Sequence, residues 1–225
     1  MIAAALLPSA GPAADHVTEL VALMGVLALA PAALVVLTSF LKIAVVLSIA
    51  RSALGAPQIP PSTAVTGLAL VLSLLVMAPI AERAAALAAE RPGEAGVAGA
   101  AARLSRAAGP VREFLSRFAR PDDRAAFLDV ARRLRAPEAP PPGQDDLAVL
   151  APAFIVSELR RAFTIGFVVF VPFLVVDLVV ANVLLALGLT QLSPTSVALP
   201  FKLLLFVAVD GWKLLARALA LSYAG

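Results

Sequence analysis

The sequence predicts an all-α, membrane-inserted protein: four long apolar helices arranged as two hairpins, with a small helical insert between them. Three observations carry that prediction. Hydrophobic residues make up 61% of the 225, charged residues 15%, and the mean hydropathy is +0.95. A water-soluble domain averages roughly 45–50% apolar and about 25% charged. The charge is also segregated: of 18 basic and 15 acidic residues, 21 lie between Glu82 and Asp146. Uncharged runs long enough to cross a bilayer flank that charged middle.

The same composition excludes several functions. There is no cysteine and one histidine, His16, which removes disulfide frameworks, thiolate sites and most zinc chemistry. No cofactor is implied. The net charge of +3 and the pI near 9.9 invite a nucleic-acid reading. The charged middle refutes it, because its eleven arginines alternate with ten acids and form no basic stripe.

The elements follow in order. Leu20–Leu41 is 22 residues without a charge, enough to cross a core of ~30 Å as a helix. Ser52–Ala81 is uncharged too, but Pro57, Pro60 and Pro61 break its start, so the second helix is expected from Ser62, a candidate N-cap. In the insert, Val111, Phe114, Leu115 and Phe118 fall at i, i+3, i+4, i+7, and Phe127, Val130, Ala131 and Leu134 repeat that spacing. Pro121-Asp122 marks the break between these two helices. Their apolar stripes pack either on each other or on a neighbouring subunit. Gly93–Gly99 reads as flexible, and Ala136–Asp146 as a stiff polar linker. A third long helix is expected from Ala162 to about Leu187, a turn at Gly188 to Pro194, and a fourth helix from Thr195. The chain thus divides into an apolar block 1–81, a soluble helical insert at 82–146, and an apolar block 147–225.

Residues 1–14 lack a basic segment, so a cleavable signal peptide has little support. Lys42 and Arg51, with no acid between the first two spans, place that connection in the cytoplasm by the positive-inside rule. The insert then faces outward. Arg160 and Arg161 contradict this scheme, because they start the third span on the outer side.

Charges inside apolar segments are costly, ~2.5–3.5 kcal/mol each, and face protein or water. Asp177 sits in Phe173–Val180 and Lys202 in Leu199–Leu205. A hairpin folded about 188–194 brings both to similar depth at ~1.5 Å per residue. Pairing there either fixes helix register or lines a polar path. Lys42 and Arg51 are expected to snorkel to a headgroup surface. Glu158, Arg160 and Arg161 form an ion cluster before the third helix, with Glu158 and Arg161 at i,i+3. An intramembrane aspartyl protease needs two facing carboxylates, and Asp210 falls ~12 Å from the level of Lys202 and Asp177. No Ser/His pair, phosphate loop or metal cluster appears. The sequence therefore predicts no enzyme.

The runs Thr38–Gly55, Gln58–Pro61 and Gly67–Pro79 resemble the export-gate family of type III secretion, SctR in injectisomes and FliP in flagella. So do Pro152–Leu159, Ala162–Phe167, Pro172–Leu178, Leu199–Leu203 and Asp210–Trp212. The resemblance covers both apolar blocks and only loosely the insert. It implies a homo-pentamer joined to S-type and T-type subunits, a gate for unfolded protein substrates, and insertion in the inner membrane. It also implies that the assembled gate lies largely on the periplasmic side, which would dissolve the conflict at Arg160 and Arg161.

In that family the turn after the third helix carries a run of methionines that rings the pore. The matching turn here is Gly188, Leu189, Thr190, Gln191, Leu192, Ser193 and Pro194, without methionine. Leu189 and Leu192 would keep an apolar seal, and Thr190 and Gln191 would make it more polar. Lys42, where flagellar members tend to carry arginine, resembles the injectisome branch. A rival reading, a small-solute transporter, predicts inverted repeats, and the sequence has none.

Overall fold

The computed structural model describes residues 21, 24–25, 28, 32, 35–56, 59–89, 96–136 and 139–224. Seven helices are bounded there: α1 (Phe40–Ala53), α2 (Ser62–Ala89), α3 (Gly96–Phe118), α4 (Pro121–Leu134), α5 (Leu147–Ala186), α6 (Pro194–Ala208) and α7 (Gly211–Leu221). Among the described residues there is no strand. The all-α class stands.

The expected count of four long apolar helices is not confirmed among the described residues. Two described helices, α2 and α5, are long and apolar enough to cross a membrane. Of the expected first helix, Leu20–Leu41, ten residues lie outside the described ones; those described up to Val36 are helical, and α1 starts only at Phe40. The expected fourth is split into α6 and α7, because Asp210 takes a left-handed conformation, φ 52°. That conformation breaks the hydrogen-bond ladder for a residue with a short polar side chain that tolerates it.

Three further boundaries differ from the sequence reading. The expected connection around Lys42 and Arg51 is helix α1, and the chain turns between Leu54 and Pro61 instead. Gly55, at φ 75°, supplies there a left-handed conformation that favours glycine. The third long helix starts at Leu147 rather than Ala162 and runs 40 residues, ~60 Å at 1.5 Å per residue. Nothing in Leu147–Ser157 stops a helix, and Pro152 sits in its second turn. Last, Gly96–Gly99, read as flexible, begins α3.

Packing follows the apolar spacing. Ile43, Val46, Leu47, Ala50 and Ala53 give α1 one buried face, which lies on α5, with Ile49 over Gly166. Val65, Ala69 and Leu72, at i, i+4, i+7, seat α2 on that unit. In the insert, Phe114, Leu115 and Phe118 are buried in the common core rather than at a subunit surface. The stripe on α4 is only partly covered: Leu128 is buried, whereas Leu134 is 82% exposed. The rest of the apolar surface stays bare, especially on α2, α5 and α6, where Val71, Phe167 and Val207 are exposed. Exposed apolar area on this scale marks contact with lipid or other proteins.

Candidate functional site

Two buried ion clusters and one exposed turn hold the candidate residues. The first cluster gathers four parts of the chain on one carboxylate. Glu158, on α5, lies 3.3 Å from the Lys42 Nζ of α1, with side chains 1% and 2% exposed. Its other oxygen accepts from Arg161 Nη1 at 2.8 Å, and the Tyr223 hydroxyl donates to Glu158 Oε2. The Lys42 ammonium stands 3.6 Å from the centroid of the Tyr223 ring, a cation–π contact in a dry setting. That ring in turn meets Phe114 at 5.8 Å and Phe118 at 4.9 Å.

Arg161 extends the cluster into the insert, donating to the Phe118 carbonyl at 2.7 Å. One helical turn back, Ser157 accepts from the Arg120 backbone N–H at 2.9 Å and donates to Asp123 at 2.6 Å. The peptide groups freed at the α3–α4 break are therefore satisfied by α5. Lys42 and Arg161, expected on opposite sides of a bilayer, share one carboxylate. Lys42 does not snorkel. Ser39 and Ser73 add a neighbouring link between α1 and α2, Oγ to Oγ at 3.1 Å.

Burial costs the Lys42 ammonium its hydration and lowers its pKa, with Glu158 opposing the shift. Burial also raises the pKa of Tyr223, and the Glu158 charge and its hydrogen bond add to the rise.

The second cluster lies ~28 Å further along α5, the rise of the 19 residues from Glu158 to Asp177. Lys202 Nζ of α6 is 2.6 Å from Asp177 Oδ2, with side chains 5% and 33% exposed. Asp177 Oδ1 is buried without a hydrogen-bond partner. A Cβ at Gly55 would sit 3.6 Å from the same Nζ, so the end of α1 meets this pair. Arg51, one turn earlier, is half-buried at this same end of α1. Asp210 is not brought here, and instead pairs with Lys213 at 3.3 Å on the surface. Arg160 is exposed.

Beyond Asp177, α5 ends in the turn. Gly188 adopts φ 71°, and Leu189 N–H reaches back to the Leu184 carbonyl at 2.9 Å, closing the helix in the way glycine allows. All seven residues Gly188–Pro194 are exposed. The turn stands at the opposite end of α5 from the insert.

Sequence reasoning missed Tyr223, Ser157 and Asp123. A usable signal existed for the first, since Tyr223 is the sole tyrosine and a lone phenol in an apolar segment calls for a polar partner.

The FliP family model matches residues 23–219. The chain is 44% identical over 219 residues to a flagellar biosynthetic protein FliP of Pectobacterium carotovorum, covering 96% of this chain and 83% of that protein. It is 43% identical over 209 residues to the hypersensitivity response secretion protein HrcR of Ralstonia nicotianae, covering 91% and 96%. A Yop proteins translocation protein R of Yersinia pestis is 42% identical over 209 residues, 92% of this chain and 96% of the relative.

Proposed function

The chain belongs to the FliP family, and from that membership we propose that it is a pore-forming subunit of a type III export gate in the bacterial inner membrane. It passes unfolded proteins and catalyses nothing itself. Five copies join S-type and T-type subunits, and the assembled gate stands largely on the periplasmic side, with 82–146 as its periplasmic insert between the blocks 1–81 and 147–225.

The observation that carries this reading is the bare apolar surface of α5 and α6 around an exposed turn. One chain leaves that hairpin uncovered, and a ring of like hairpins would cover it while bringing the turns together at the axis. The Glu158 cluster supports the same picture. Lys42 and Arg161 on one carboxylate leave no bilayer thickness between them, which suits helices buried in protein rather than spread across lipid.

The similarity spans flagellar and secretion relatives alike. We assign the injectisome branch on Lys42, whose ammonium fills the space between Glu158 and the Tyr223 ring.

The test is removal of the gene from its host, followed by complementation. Loss of secreted effector proteins with motility retained is the expected result. Loss of motility alone would move the chain to the flagellar branch. Purification should yield a complex of five copies with the S-type and T-type subunits. A monomer that binds a small solute would overturn the gate and favour a transporter.

A further inference from the structure

Along α5, Phe167, Val171, Leu174, Leu178, Ala181 and Leu185 follow one another at alternating steps of four and three. All but the half-buried Ala181 are exposed. A step that averages 3.5 keeps these side chains in one row, the kind of seam a partner helix selects. The row is a ridge ~27 Å long at 1.5 Å per residue.

About half a turn round the helix, at ~100° per residue, lies a groove of about 450 Å³. Val176, Val179, Val180 and Val183 of α5 form one wall, and Val197 and Phe201 of α6 the other. Phe173 and Asp177, which meet Phe206 and Lys202, mark the side of α5 turned to α6. Asn182, exposed, falls on the side away from α6, between ridge and groove. Its amide therefore enters neither face, and the run from Leu178 to Phe201 carries no charge.

A second copy fits both faces. Ridge and groove overlap in level on α5, so one copy's ridge reaches the next copy's groove with the copies side by side. Leu174 and Leu178 stand out on the ridge, and smaller valines line the groove. Hydrocarbon selects an apolar surface all round a helix and imposes no alternation of four and three. One such contact has a footprint of roughly 300 Å², a ridge ~27 Å long on a helix ~10 Å across. A stable pair buries ~800 Å² on each partner, so one contact is too little and each copy needs a neighbour on both flanks. Two different faces meeting head to tail supply that.

We propose that the Phe167–Leu185 ridge of one copy seats in the valine-lined groove of the next. The joint rests on the reading of the chain as a ring of copies, and it adds which two faces meet.

The chain has no cysteine, so introduced thiols report the joint without background. Two differently tagged copies are co-expressed, one Leu178→Cys on the ridge and the other Val179→Cys in the groove, and the complex is treated with a short bis-maleimide. A cross-linked pair carrying both tags is the expected product, and neither variant expressed alone should link to itself. Leu178→Cys linking to itself would overturn the joint in favour of like faces. A multi-copy complex without the mixed pair would overturn it too, and both results leave the gate reading standing. A monomer by native mass spectrometry would overturn gate and joint together. Leu178→Gln should lower the yield of multi-copy complex about tenfold, the least that burying a leucine is worth, with helix content unchanged by circular dichroism. An undiminished yield would count against the ridge. Asn182→Leu, off both faces, should leave the mixed cross-link at its parental amount, and its loss would move the contact elsewhere on α5.

Discussion

Tyr223, in the turn after α7, donates its hydroxyl to Glu158, 65 positions earlier on α5. This bond fastens the last helix to the same carboxylate that holds α1 through Lys42 and the insert through Arg161 and Phe118. One side chain thus joins segments that are remote in sequence.

Glu158→Gln keeps the shape of that side chain and removes its charge. Lys42 then stays buried beside Arg161 with no counter-charge, and breaking a buried pair in this way costs about 3–5 kcal/mol. Tyr223→Phe removes one hydrogen bond to a charged group, about 1.5–3 kcal/mol. Thermal unfolding of the detergent-solubilised protein should rank Glu158→Gln below Tyr223→Phe, and both below the parent. Adding Lys42→Met to Glu158→Gln should recover part of the loss, because it removes the stranded cation.

The same phenol predicts a pH response. Its folded pKa is raised above the ordinary 10.0 by burial first and by Glu158 second. A raised folded pKa gives stability that is complete below pH 10 and lost as pH climbs beyond it. Because Tyr223 is the sole tyrosine, tyrosinate absorbance near 295 nm reports this group alone. It should stay absent above pH 10 until helix content falls, and then appear together with that fall. Smooth titration centred at 10 in folded protein would contradict the burial.

Gly166 permits α1 to touch α5. A Cβ there would come within 3.1 Å of Ile49 Cγ2, with Ile49 Cδ1 closer still. Gly166→Ala should therefore destabilise by about 1–3 kcal/mol, the usual cost of overpacking. Pairing it with Ile49→Ala should restore much of the melting temperature. A neutral Gly166→Ala would mean that the two helices separate freely.

For the second cluster, Asp177→Ala leaves the Lys202 cation, 5% exposed, without its partner. Secretion and recovery of the assembled complex should both collapse. The exchange Asp177→Lys with Lys202→Asp should restore a fraction of each, since the pair keeps opposite charges at one depth. Full secretion by Asp177→Ala would remove the pair from any essential role.

The helical class was legible in hydropathy because the apolar runs are long, and the prolines inside them, Pro79, Pro172 and Pro200, do not end the helices. Helix ends were less so. Leu147–Ser157 carries no signal separating it from the apolar run that begins at Ala162, and Asp210 breaks the last run by a backbone conformation that composition does not announce. Depth could be read for Asp177 and Lys202, since a single turn relates them. It could not be read for Lys42 and Glu158, which lie 116 positions apart and meet only after three helices have packed. The positive-inside rule counts charges by segment, and a lysine paired in a core violates its assumption that loop cations face water. That is why Lys42 and Arg161 were expected on different sides.

The turn at Gly188–Pro194 offers the sharpest test of the gate itself. All seven of its residues are exposed in the single chain, and nothing lies within 4 Å of a Cβ placed on Gly188. In the proposed gate, the effect of these exposed side chains comes from neighbouring copies at the axis. Thr190→Gly with Gln191→Gly removes two side chains from every copy and widens any ring they form. It leaves the helix end unchanged, because Gly188 at φ 71° and the bond from Leu189 N–H to the Leu184 carbonyl are untouched. Conductance of the reconstituted complex in a planar bilayer should therefore rise, while complex yield and melting temperature hold. Ser193→Ala, beside the start of α6 and without a side-chain cap bond, should leave conductance at the parental level. Unchanged conductance in the double variant would take the seal away from this turn, whatever the complex goes on to export.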